Sequence, residues 1–379
     1  MDQKVLKRPL KVLLSIRQGQ VGGGESHVLE LVRGFDKSLV EPVVLSFTDG
    51  EMIDRLQAMN TPVQVIPTTT PFDVRVWGKV KQFLRDTAPD IVHAHGTRAA
   101  SNLFWSTRAL NLPLLYTVHG WSFHKTQSKT TYYTRLYTEK FITRQAARNI
   151  CVSNSNEADG KKLFGLKKSM VIHNGVDLNK FDPTRTHSDV RQEYGIRPDE
   201  ILIGYISRVT YQKNPLNFIR AIALLKKDIQ NSKVLMVGDG DMKDEALALA
   251  TELNLLETII FIKFRSDVPA ILKALDIFCL PSWWEGFSIG LLEAMAMNKC
   301  VVCSSVDGNK EIVSDKSTGY FIPPEDPQQM ANTLAYLCRH PDVRAQAAEK
   351  GQRLVREEFS ATTMIRRVED LYRDTVTQS

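Results

Sequence analysis

Two carboxylates stand beside a predicted helix start in the stretch PSWWEGFSIGLLEAMAMNKCVV, residues 281–302. Glu285 lies in a polar loop, and Glu293 lies eight residues later inside a helix predicted from about Ser288 to Met297. Backbone amides at a helix N-terminus have no intrahelical partner and stabilise an anion. A ligand with both phosphate and hydroxyl groups suits this combination, so the stretch predicts a nucleotide-sugar site. The amides that would face the ligand are those of Phe287, Ser288 and Ile289.

Two cations, Arg208 and Lys213, follow the predicted strand at residues 201–207 in the sequence SRVTYQKN. A guanidinium can hold two phosphate oxygens at once, and an ammonium supplies a compact positive charge. When the bond from a sugar to a nucleoside diphosphate breaks, the departing diphosphate gains negative charge. Fixed cations and amides stabilise that charge without a metal. Exposed basic residues are common, so this pair indicates a site only in combination with residues 281–302.

The sequence contains no pattern typical of a metal site. No DxD-like pair stands in a context that suggests Mg²⁺ or Mn²⁺, and no cluster of His and Cys suggests zinc. Cys300 and Cys303 have CxxC spacing, but the motif occurs once and inside a predicted strand. That context favours buried thiols over a redox or metal-binding role. We therefore expect neither a metal nor any cofactor besides the substrate itself.

Apolar runs that alternate with helical segments form two series along the chain. Such alternation predicts a parallel, doubly wound sheet in each series, with ligands at the carboxyl ends of the strands. At 379 residues the chain fits two domains. We place these α/β, Rossmann-like domains at residues 1–185 and 186–358, and expect residues 359–379 to form a helix that returns to the first domain. The predicted strands are residues 10–16, 42–47, 62–66, 90–95, 112–119 and 149–153, then 201–207, 233–238, 258–262, 276–282, 299–304 and 319–323.

Glycines and histidines mark the predicted strand ends of the first domain. Gly23 and Gly24 follow the first strand in a loop whose spacing is not GxGxxG, so a dinucleotide fingerprint is not supported. A tight turn and contact with a ligand are equally good interpretations of this loop. His95 and His119 end two other strands, and each is followed by glycine. A lone histidine usually has a structural role. Two histidines at strand ends that face one crevice indicate a structural role and a ligand-binding role about equally.

Composition and charge exclude several classes of protein. The net charge of +6 is modest; it suits anionic small molecules or an anionic membrane surface and does not indicate nucleic-acid binding. No run approaches the roughly 18 apolar residues of a membrane span. The apolar stretch Val12 to Ile16 reads as a first strand and not as a signal peptide. We therefore expect a cytoplasmic protein.

The segment 123–148 combines basic and aromatic residues. Tyr133, Leu136, Tyr137 and Phe141 lie at helical spacing, while arginines and lysines occupy the other faces. A helix that faces the core and exposes a solvated side explains this pattern, and we favour that interpretation. The alternative is contact with an anionic acceptor or peripheral association with the cytoplasmic face of the inner membrane.

Five motifs extend over nearly the whole chain: GGGESHVLEL, HNGVD, SRVTYQKN, FRSDVPAIL and EGFSIGLLEAMA. None is specific alone, but together they resemble the family 4 retaining glycosyltransferases, which have the two-domain GT-B fold. The resemblance implies an interdomain cleft, with the nucleotide on the second domain and the acceptor on the first. Asn298-Lys299-Cys300 departs from the family's usual Gly-x-Pro. This departure leaves the central carboxylates and cations intact and bears on donor selection.

The resemblance implies roles for five side chains. Arg208 and Lys213 would contact the diphosphate of the donor. Glu293 would hold the ribose hydroxyls, and Glu285 would meet the donor sugar. His119 matches the family's histidine near that sugar. Catalysis would therefore depend on His119, Arg208, Lys213 and Glu285.

The resemblance assigns further nucleotide-sugar contacts mainly to backbone. The chain around Phe264 and Arg265 would hold the base, and Gly23 and Gly24 would close on the phosphates. The loop and helix start around Glu285 would add contacts to the sugar and phosphate. Those contacts would come from Gly286, Phe287, Ser288 and Ile289.

We therefore expect a retaining, metal-independent glycosyltransferase that moves a hexose or N-acetylhexosamine from a UDP-sugar to a glycan or lipid-linked acceptor. The product would be a cell-surface polysaccharide, lipopolysaccharide or glycolipid. Retention comes from the resemblance alone, because no carboxylate nucleophile can be identified, and same-face displacement is the favoured mechanism. Two alternatives stay open. One is another GT-B enzyme of nucleotide sugars, such as an epimerase or a phosphorylase, and the other is a nucleotide-sugar-binding protein that has lost catalysis.

Overall fold

The computed structural model describes residues 8–17, 19, 22–124 and 126–377. The chain divides into two compact units: residues up to Gly175 together with those from Ala361 form the first, and Val176–Ser360 form the second. These boundaries differ from the ones expected at residues 185 and 358. Val176 forms a parallel β-bridge with Ser360, so the chain has entered the second unit before the boundary expected at residue 185.

Parallel strands in the described residues of the first unit form a seven-stranded sheet, as the alternating pattern predicted. The strands are β1 (Leu10–Ile16), β2 (Val40–Ser46), β3 (Val63–Val65), β4 (Ile91–His95), β5 (Leu114–Val118), β6 (Arg148–Cys151) and β7 (Ser169–Val171). Their order is β3-β2-β1-β4-β5-β6-β7. Because β1 and β4 are neighbours, the winding reverses between them, and a doubly wound sheet opens a crevice at the carboxyl ends of such strands.

Two helical layers cover this sheet. On one face, α1 (Gly23–Gly34), α2 (Glu51–Ala58) and the C-terminal α15 (Ala361–Thr377) bury apolar side chains. Helix α15 packs here because its buried apolar residues, at positions 364, 365, 368, 371 and 372, recur at helical spacing. The helices of the opposite layer are α3 (Val74–Thr87), α4 (Thr97–Ala109), α5 (Lys129–Gln145) and α6 (Asn154–Phe164).

Parallel strands in the second unit form a six-stranded sheet. The strands are β8 (Ile201–Ile206), β9 (Ser232–Val237), β10 (Ile259–Ile262), β11 (Ile277–Leu280), β12 (Cys300–Ser304) and β13 (Tyr320–Ile322). Their order is β10-β9-β8-β11-β12-β13, which confirms the predicted α/β class for this half of the chain. Here the winding reverses between β8 and β11.

The helices of the second unit include one whose position was predicted closely. The helix expected from about Ser288 to Met297 is α11 (Ile289–Ala296). A short 3-10 turn, Tyr211–Lys213, precedes α8. The other helices are α7 (Val190–Glu193), α8 (Pro215–Asp228), α9 (Lys243–Glu252), α10 (Val268–Ala274), α12 (Asn309–Ile312), α13 (Pro327–Arg339) and α14 (Pro341–Glu358).

The helix expected over residues 359–379 on the first domain is confirmed as α15 (Ala361–Thr377), which belongs to the first unit. The preceding helix, α14, belongs to the second unit. The helices separate at Phe359, whose carbonyl accepts a hydrogen bond from the Val176 amide at 2.9 Å. That bond ties the break to the β-bridge between the ends of the second unit.

Helix α5 fits the favoured interpretation of segment 123–148 only in part. Leu136 is buried, but Tyr133, Tyr137 and Phe141 are exposed. The helix does face the core through Leu136, but the three aromatic residues lie on its solvated side.

The cysteines confirm the expectation of buried thiols. Cys300 and Cys303 are buried and unbonded on β12, and side chains three residues apart on a strand point to opposite faces. Burial raises the pKa of the Cys300 thiol to about 12. Within the described ranges, every helix is too short or too polar to cross a lipid bilayer.

Candidate active site

Two strand-end loops of the second unit meet where the winding of its sheet reverses. Because β8 and β11 are neighbours, the loops after Ile206 and Leu280 leave the same edge of the sheet. Across these loops, Lys213 Nζ lies 2.5 Å from Glu285 Oε1, and the two side chains are only 15% and 7% exposed. The Ser282 hydroxyl donates to the same carboxylate oxygen at 2.6 Å. The structure thus brings two predicted site residues together as a buried ion pair.

Backbone hydrogen bonds hold the two loops together. The Trp283 amide donates to the Gln212 carbonyl at 2.8 Å, and the Gln212 side chain donates to the Trp284 carbonyl at 2.9 Å. The side chain of Asn214 donates to two further carbonyls, those of Pro281 and Pro324. Because the residues on both sides of Lys213 are tied in this way, the local backbone places its ammonium beside Glu285.

Gly308, in the loop after β12, lies against the loop that carries Glu285. The Gly308 amide donates to the Glu285 carbonyl at 3.4 Å. A Cβ at position 308 would collide with the carbonyl oxygen of Gly286. A glycine is therefore needed here for close backbone approach, a role that the sequence reasoning did not assign to it.

Arg208 shares a loop with Lys213 but has a different environment. Its side chain is exposed and makes no hydrogen bond or ion pair with any residue that the structure describes. The next residue, Val209, is buried, and its amide donates to the Asp239 carbonyl at 2.9 Å, which anchors the loop. Arg208 is therefore a cation available to an anionic ligand, whereas Lys213 already gives one donor to Glu285.

Helix α11 begins with a side-chain cap. Ser288 is its N-cap, and the Ser288 hydroxyl accepts a hydrogen bond from the Leu291 amide at 3.4 Å. One of the amides at this helix start is thus satisfied within the chain. The ring of Phe287 is buried against Phe359, with centroids 5.5 Å apart. Glu293 lies half-buried on the same helix.

The residues expected near the base follow β10, which β9 separates from β8. Phe264 is exposed. The Arg265 guanidinium lies 2.6 Å from both Asp267 and Glu193, and hydrogen bonds to these carboxylates raise the pKa of Arg265. The Arg265 side chain is thus engaged within the second unit, which is compatible with a contact through its backbone only.

In the first unit, His119 lies just after β5, beside the start of α1. A Cβ at Gly24 would lie 3.5 Å from His119 Cδ2, whereas the space around Gly23 is open. The structure therefore places Gly24 and His119 side by side.

Four histidines cluster at this point, and the sequence reasoning identified only two of them. His27 on α1 and His93 in β4 join His95 and His119, with ring centroids 4.2 to 5.3 Å apart in neighbouring pairs. Burial lowers the pKa of His27 to about 4 and that of His93 to about 3, and it lowers those of His95 and His119 well below the ordinary value. His93 could have been found from its spacing, since residues two apart on a strand share a face.

Glu139 is a second feature that the sequence reasoning missed. Its carboxylate is fully buried and accepts hydrogen bonds from the hydroxyls of Thr97 and Ser122 at 2.6 Å and of Tyr116 at 2.8 Å. Burial raises the pKa of Glu139. These bonds tie the start of α4, strand β5 and the loop after β5 to α5. Among the described residues, no group of three or more His, Cys, Asp or Glu side chains is arranged to hold a metal ion.

Two α/β units, each built on a parallel sheet, with cations and a carboxylate at the strand ends of the second unit, are typical of GT-B glycosyltransferases. Residues 21–180 match the family model described as Glycosyltransferase Family 4, and residues 187–354 match the model described as Glycosyl transferases group 1. The chain belongs to glycosyltransferase family 4, and the protein is a glycosyltransferase.

Individual relatives agree with this assignment. The UDP-Gal:alpha-D-GlcNAc-diphosphoundecaprenol alpha-1,3-galactosyltransferase of Escherichia coli is 30% identical over 302 residues, 78% of each chain. The N-acetyl-alpha-D-glucosaminyl L-malate synthase of Bacillus anthracis is 23% identical over 80% of each chain. Anabaena HepE, solved with UDP and glucose, has a TM-score of 0.85 at 23% identity and covers 96% of this chain and 99% of its own. Sucrose-phosphate synthase from Thermosynechococcus elongatus has a TM-score of 0.81 at 20% identity, covering 98% and 100%. These likenesses confirm the GT-B fold.

Proposed function

We propose that this protein is a retaining glycosyltransferase that takes a hexose or N-acetylhexosamine from a UDP-sugar and needs no metal ion. The observation that carries the proposal is the buried Lys213–Glu285 pair in the loop region that also presents the exposed Arg208. A diphosphate requires fixed positive charge, and a sugar requires acceptors for its hydroxyl groups. A UDP donor is supported by the E. coli relative, which uses UDP-Gal, and by HepE, which was solved with UDP.

The geometry indicates how the site residues would divide the work. Lys213 has three N–H donors, of which Glu285 takes one, so the others can stabilise the departing diphosphate together with Arg208. Glu285 Oε1 accepts from Lys213 and Ser282, while its Oε2 accepts no hydrogen bond from the described residues. We assign Oε2 to a hydroxyl of the donor sugar. Glu293 on α11 would hold the ribose hydroxyls.

We propose same-face displacement as the route to retention. In this mechanism, an oxygen of the departing phosphate takes the proton of the acceptor hydroxyl as that hydroxyl attacks the anomeric carbon. The site supplies cations for the leaving group, and no side chain is assigned as a nucleophile. Mass spectrometry of enzyme quenched during turnover should show no glycosylated side chain. A covalent glycosyl adduct that forms and decays at the rate of turnover would contradict this route.

We propose a lipid-linked or other anionic glycan as the acceptor, in the synthesis of a cell-surface polysaccharide, lipopolysaccharide or glycolipid. The E. coli relative is named for transfer to alpha-D-GlcNAc-diphosphoundecaprenol, and the B. anthracis relative is named as a synthase of N-acetyl-alpha-D-glucosaminyl L-malate. The diphosphate and malate groups in these names are anionic, which fits the excess of positive charge on this chain.

Helices α4 and α5 of the first unit form a surface suited to peripheral contact with a membrane. Trp105, Tyr133, Tyr137 and Phe141 are between 41% and 62% exposed. Phe104 joins the two helices, because its ring lies 5.1 Å from that of Phe141 and 6.4 Å from that of Trp105. The exposed aromatic residues of α4 and α5 therefore belong to one surface.

The charge of this surface favours anionic lipid. Arg108, Arg135 and Arg144 are exposed on the same two helices. Helix α4 contains no acidic residue, and Glu139, the acidic residue of α5, is buried. Aromatic side chains at the interface combined with exposed arginines are typical of binding to the headgroup region of an anionic bilayer.

Vesicle co-sedimentation tests this association. We expect binding to vesicles that contain phosphatidylglycerol at low salt, weaker binding at high salt, and weaker binding of the Trp105→Ser and Tyr137→Ser variants. Tyr336→Ser removes an equally exposed aromatic side chain from the second unit and should bind like the wild type. Absence of binding at low salt would exclude a membrane-associated role for this surface.

UDP release tests the proposed reaction. A panel of UDP-sugars and GDP-sugars, with and without acceptors and with EDTA present, should identify a UDP-sugar whose turnover requires an acceptor. Glu285→Ala and Lys213→Ala should lower that turnover by at least 100-fold, a size typical for loss of one group that stabilises developing charge. Lys227→Ala on α8 is a matched control and should remain active. Unchanged turnover in both site variants would refute the site assignment.

The alternative of an inactive nucleotide-sugar-binding protein makes a different prediction in the same assay. Such a protein would bind UDP-sugars without releasing UDP in the presence of any acceptor. Presence of Arg208, Lys213, Glu285 and Glu293 in one region of the second unit favours the active enzyme.

A further inference from the structure

His95 is a buried imidazole whose side chain has one hydrogen-bonding partner among the residues that the structure describes. It is 2% exposed at the end of β4, and its Nδ1 lies 3.1 Å from Nε2 of His119. The planes of the two rings differ by 23°. His95 Nε2 is buried and has no hydrogen-bonding partner among the described residues. The polar link of His95 is therefore to His119, the histidine that the family resemblance assigns to the donor sugar.

The proton in this hydrogen bond can lie on either nitrogen. If His119 Nε2 donated, His95 would carry its proton on Nε2, a buried N–H group without an acceptor. If His95 Nδ1 donates, His95 Nε2 is a buried acceptor without a donor. Orphaned buried donors are rarer in folded proteins than under-satisfied acceptors. The structure therefore favours donation from His95 to His119, which leaves the proton of neutral His119 on Nδ1.

The surroundings of the pair keep both rings neutral. Burial, together with the neighbouring imidazoles, lowers the pKa of His95 and that of His119 well below the ordinary value. His27 lies 5.3 and 5.0 Å from the two rings, centroid to centroid, so charge repulsion would oppose protonation of more than one of these rings. His119 is partly exposed, and its Nδ1 makes no hydrogen bond with the described residues. It can thus donate from Nδ1 to a ligand.

His93 provides a contrast within the same cluster. Its ring lies 4.2 Å from that of His95, centroid to centroid, but its nitrogens are engaged elsewhere. His93 Nδ1 lies 2.7 Å from the Tyr372 hydroxyl, and its Nε2 lies 2.7 Å from the Thr117 hydroxyl. His93 therefore packs in the cluster without a hydrogen bond to His119.

We infer that His95 is a positioning residue, which orients the His119 ring and holds its proton on Nδ1 so that His119 donates a hydrogen bond to an oxygen of the transferred sugar. The claim that His119 contacts the sugar rests on the proposed function. The claim about the His119 tautomer depends only on contacts within this chain, so an experiment can contradict either claim without the other.

Steady-state kinetics tests the first part. His95→Leu should lower kcat by about 10- to 100-fold, the range seen when an outer partner of a functional histidine is removed, with little change in the KM for the donor. His95→Asn can place an amide N–H near the position of Nδ1 and should restore most of kcat. His93→Leu removes an equally buried imidazole and should lower thermal stability while kcat stays near that of the wild type.

Nitrogen-15 NMR of histidine-labelled protein tests the second part without any need for activity. His119, assigned through the loss of its signals in His119→Gln, should show a protonated Nδ1 and an unprotonated Nε2 in the wild type. His95→Leu should shift His119 toward a mixture of tautomers, and His95→Asn should restore the Nδ1 form. A proton on Nε2 of wild-type His119, or a kcat in His95→Leu equal to that of the wild type, would overturn the inference. A shift in tautomer in a protein without transferase activity would instead contradict the proposed function and leave the positioning role intact.

Discussion

Breaking the Lys213–Glu285 pair should destabilise the second unit strongly. The charged atoms lie 2.5 Å apart, and both side chains are largely buried. With an effective dielectric constant of about 20, unit charges about 3 Å apart attract by ~5.5 kcal/mol. Desolvation of each ion offsets several kcal/mol of that attraction, and loss of one partner from a buried pair costs about 3–5 kcal/mol. We therefore expect either Lys213→Met or Glu285→Gln to lower the free energy of unfolding of the second unit by about 3–5 kcal/mol.

A double-mutant cycle separates the pair from its surroundings. The combined variant leaves no unpaired charge, so its cost should be smaller than the sum of the single costs by about 2–3 kcal/mol. Urea unfolding of protein labelled with 5-fluorotryptophan gives a signal for each unit, because units of a chain can unfold separately. Trp283 and Trp284 report on the second unit, next to the pair. The tryptophans of the first unit are Trp77, Trp105 and Trp121.

An exposed ion pair of the same unit provides the control for this cycle. Arg197 and Asp199 are 61% and 66% exposed, so a cycle with Arg197→Gln and Asp199→Asn should give a much smaller coupling, because solvent screens an exposed pair. A coupling for Lys213 and Glu285 that is no larger than the control would refute the conclusion that they form a buried pair.

Three further predictions concern positions outside this pair. Gly308→Ala should lower the stability of the second unit by at least about 2 kcal/mol in urea unfolding, because the added Cβ collides with backbone. Gly78→Ala, in open space on α3, is the control and should raise stability by about 0.5–1 kcal/mol. Equal effects of the two substitutions would contradict the close backbone approach at Gly308. Burial lowers the pKa of His27 to about 4 in the folded chain, against about 6.5 in the unfolded chain. Between these pH values the unfolded chain binds more protons than the folded chain. The free energy of unfolding therefore falls by ~1.4 kcal/mol per pH unit as the pH drops through this window. His27→Gln should remove that contribution from the measured pH slope, and an unchanged slope would argue against a neutral buried ring. Glu139→Leu should cost about 3 kcal/mol or more in urea unfolding, because it leaves several buried hydroxyl donors without an acceptor, and Glu139→Gln should cost less; equal costs would show that the hydrogen bonds contribute little.

The sequence predicted the sheets and the central carboxylate loop because their signals are local. Apolar runs of strand length alternate with helical segments, and each strand in a doubly wound sheet ends near the same edge. The resemblance to a family then indicated that Lys213 and Glu285 share a site, although they are separated by 72 positions in the chain. Only the structure shows that they form an ion pair and that Arg208 has no such partner in the part of the chain that is described.

Features that depend on contacts between distant segments could not be predicted in this way. His93 bonds Tyr372, which lies 279 positions away on a helix from the other end of the chain. Glu139 looked like one polar residue on a basic helix, since its burial depends on hydroxyl groups from two other elements. The exposure of Tyr137 on α5 likewise depends on which face of the helix the sheet covers, and helical spacing alone does not show that.

Calorimetric titration with UDP tests the central claim, that the second unit holds a nucleoside diphosphate through Arg208 and the Lys213–Glu285 loop pair. The wild type should bind UDP, and Arg208→Gln should bind it about 10- to 100-fold more weakly, as expected for loss of charged hydrogen bonds worth about 1.5–3 kcal/mol. Arg220→Gln, which removes an exposed arginine from α8, should leave the affinity unchanged. If Arg208→Gln bound UDP as tightly as the wild type, the diphosphate would not lie beside Arg208 and the Lys213–Glu285 pair.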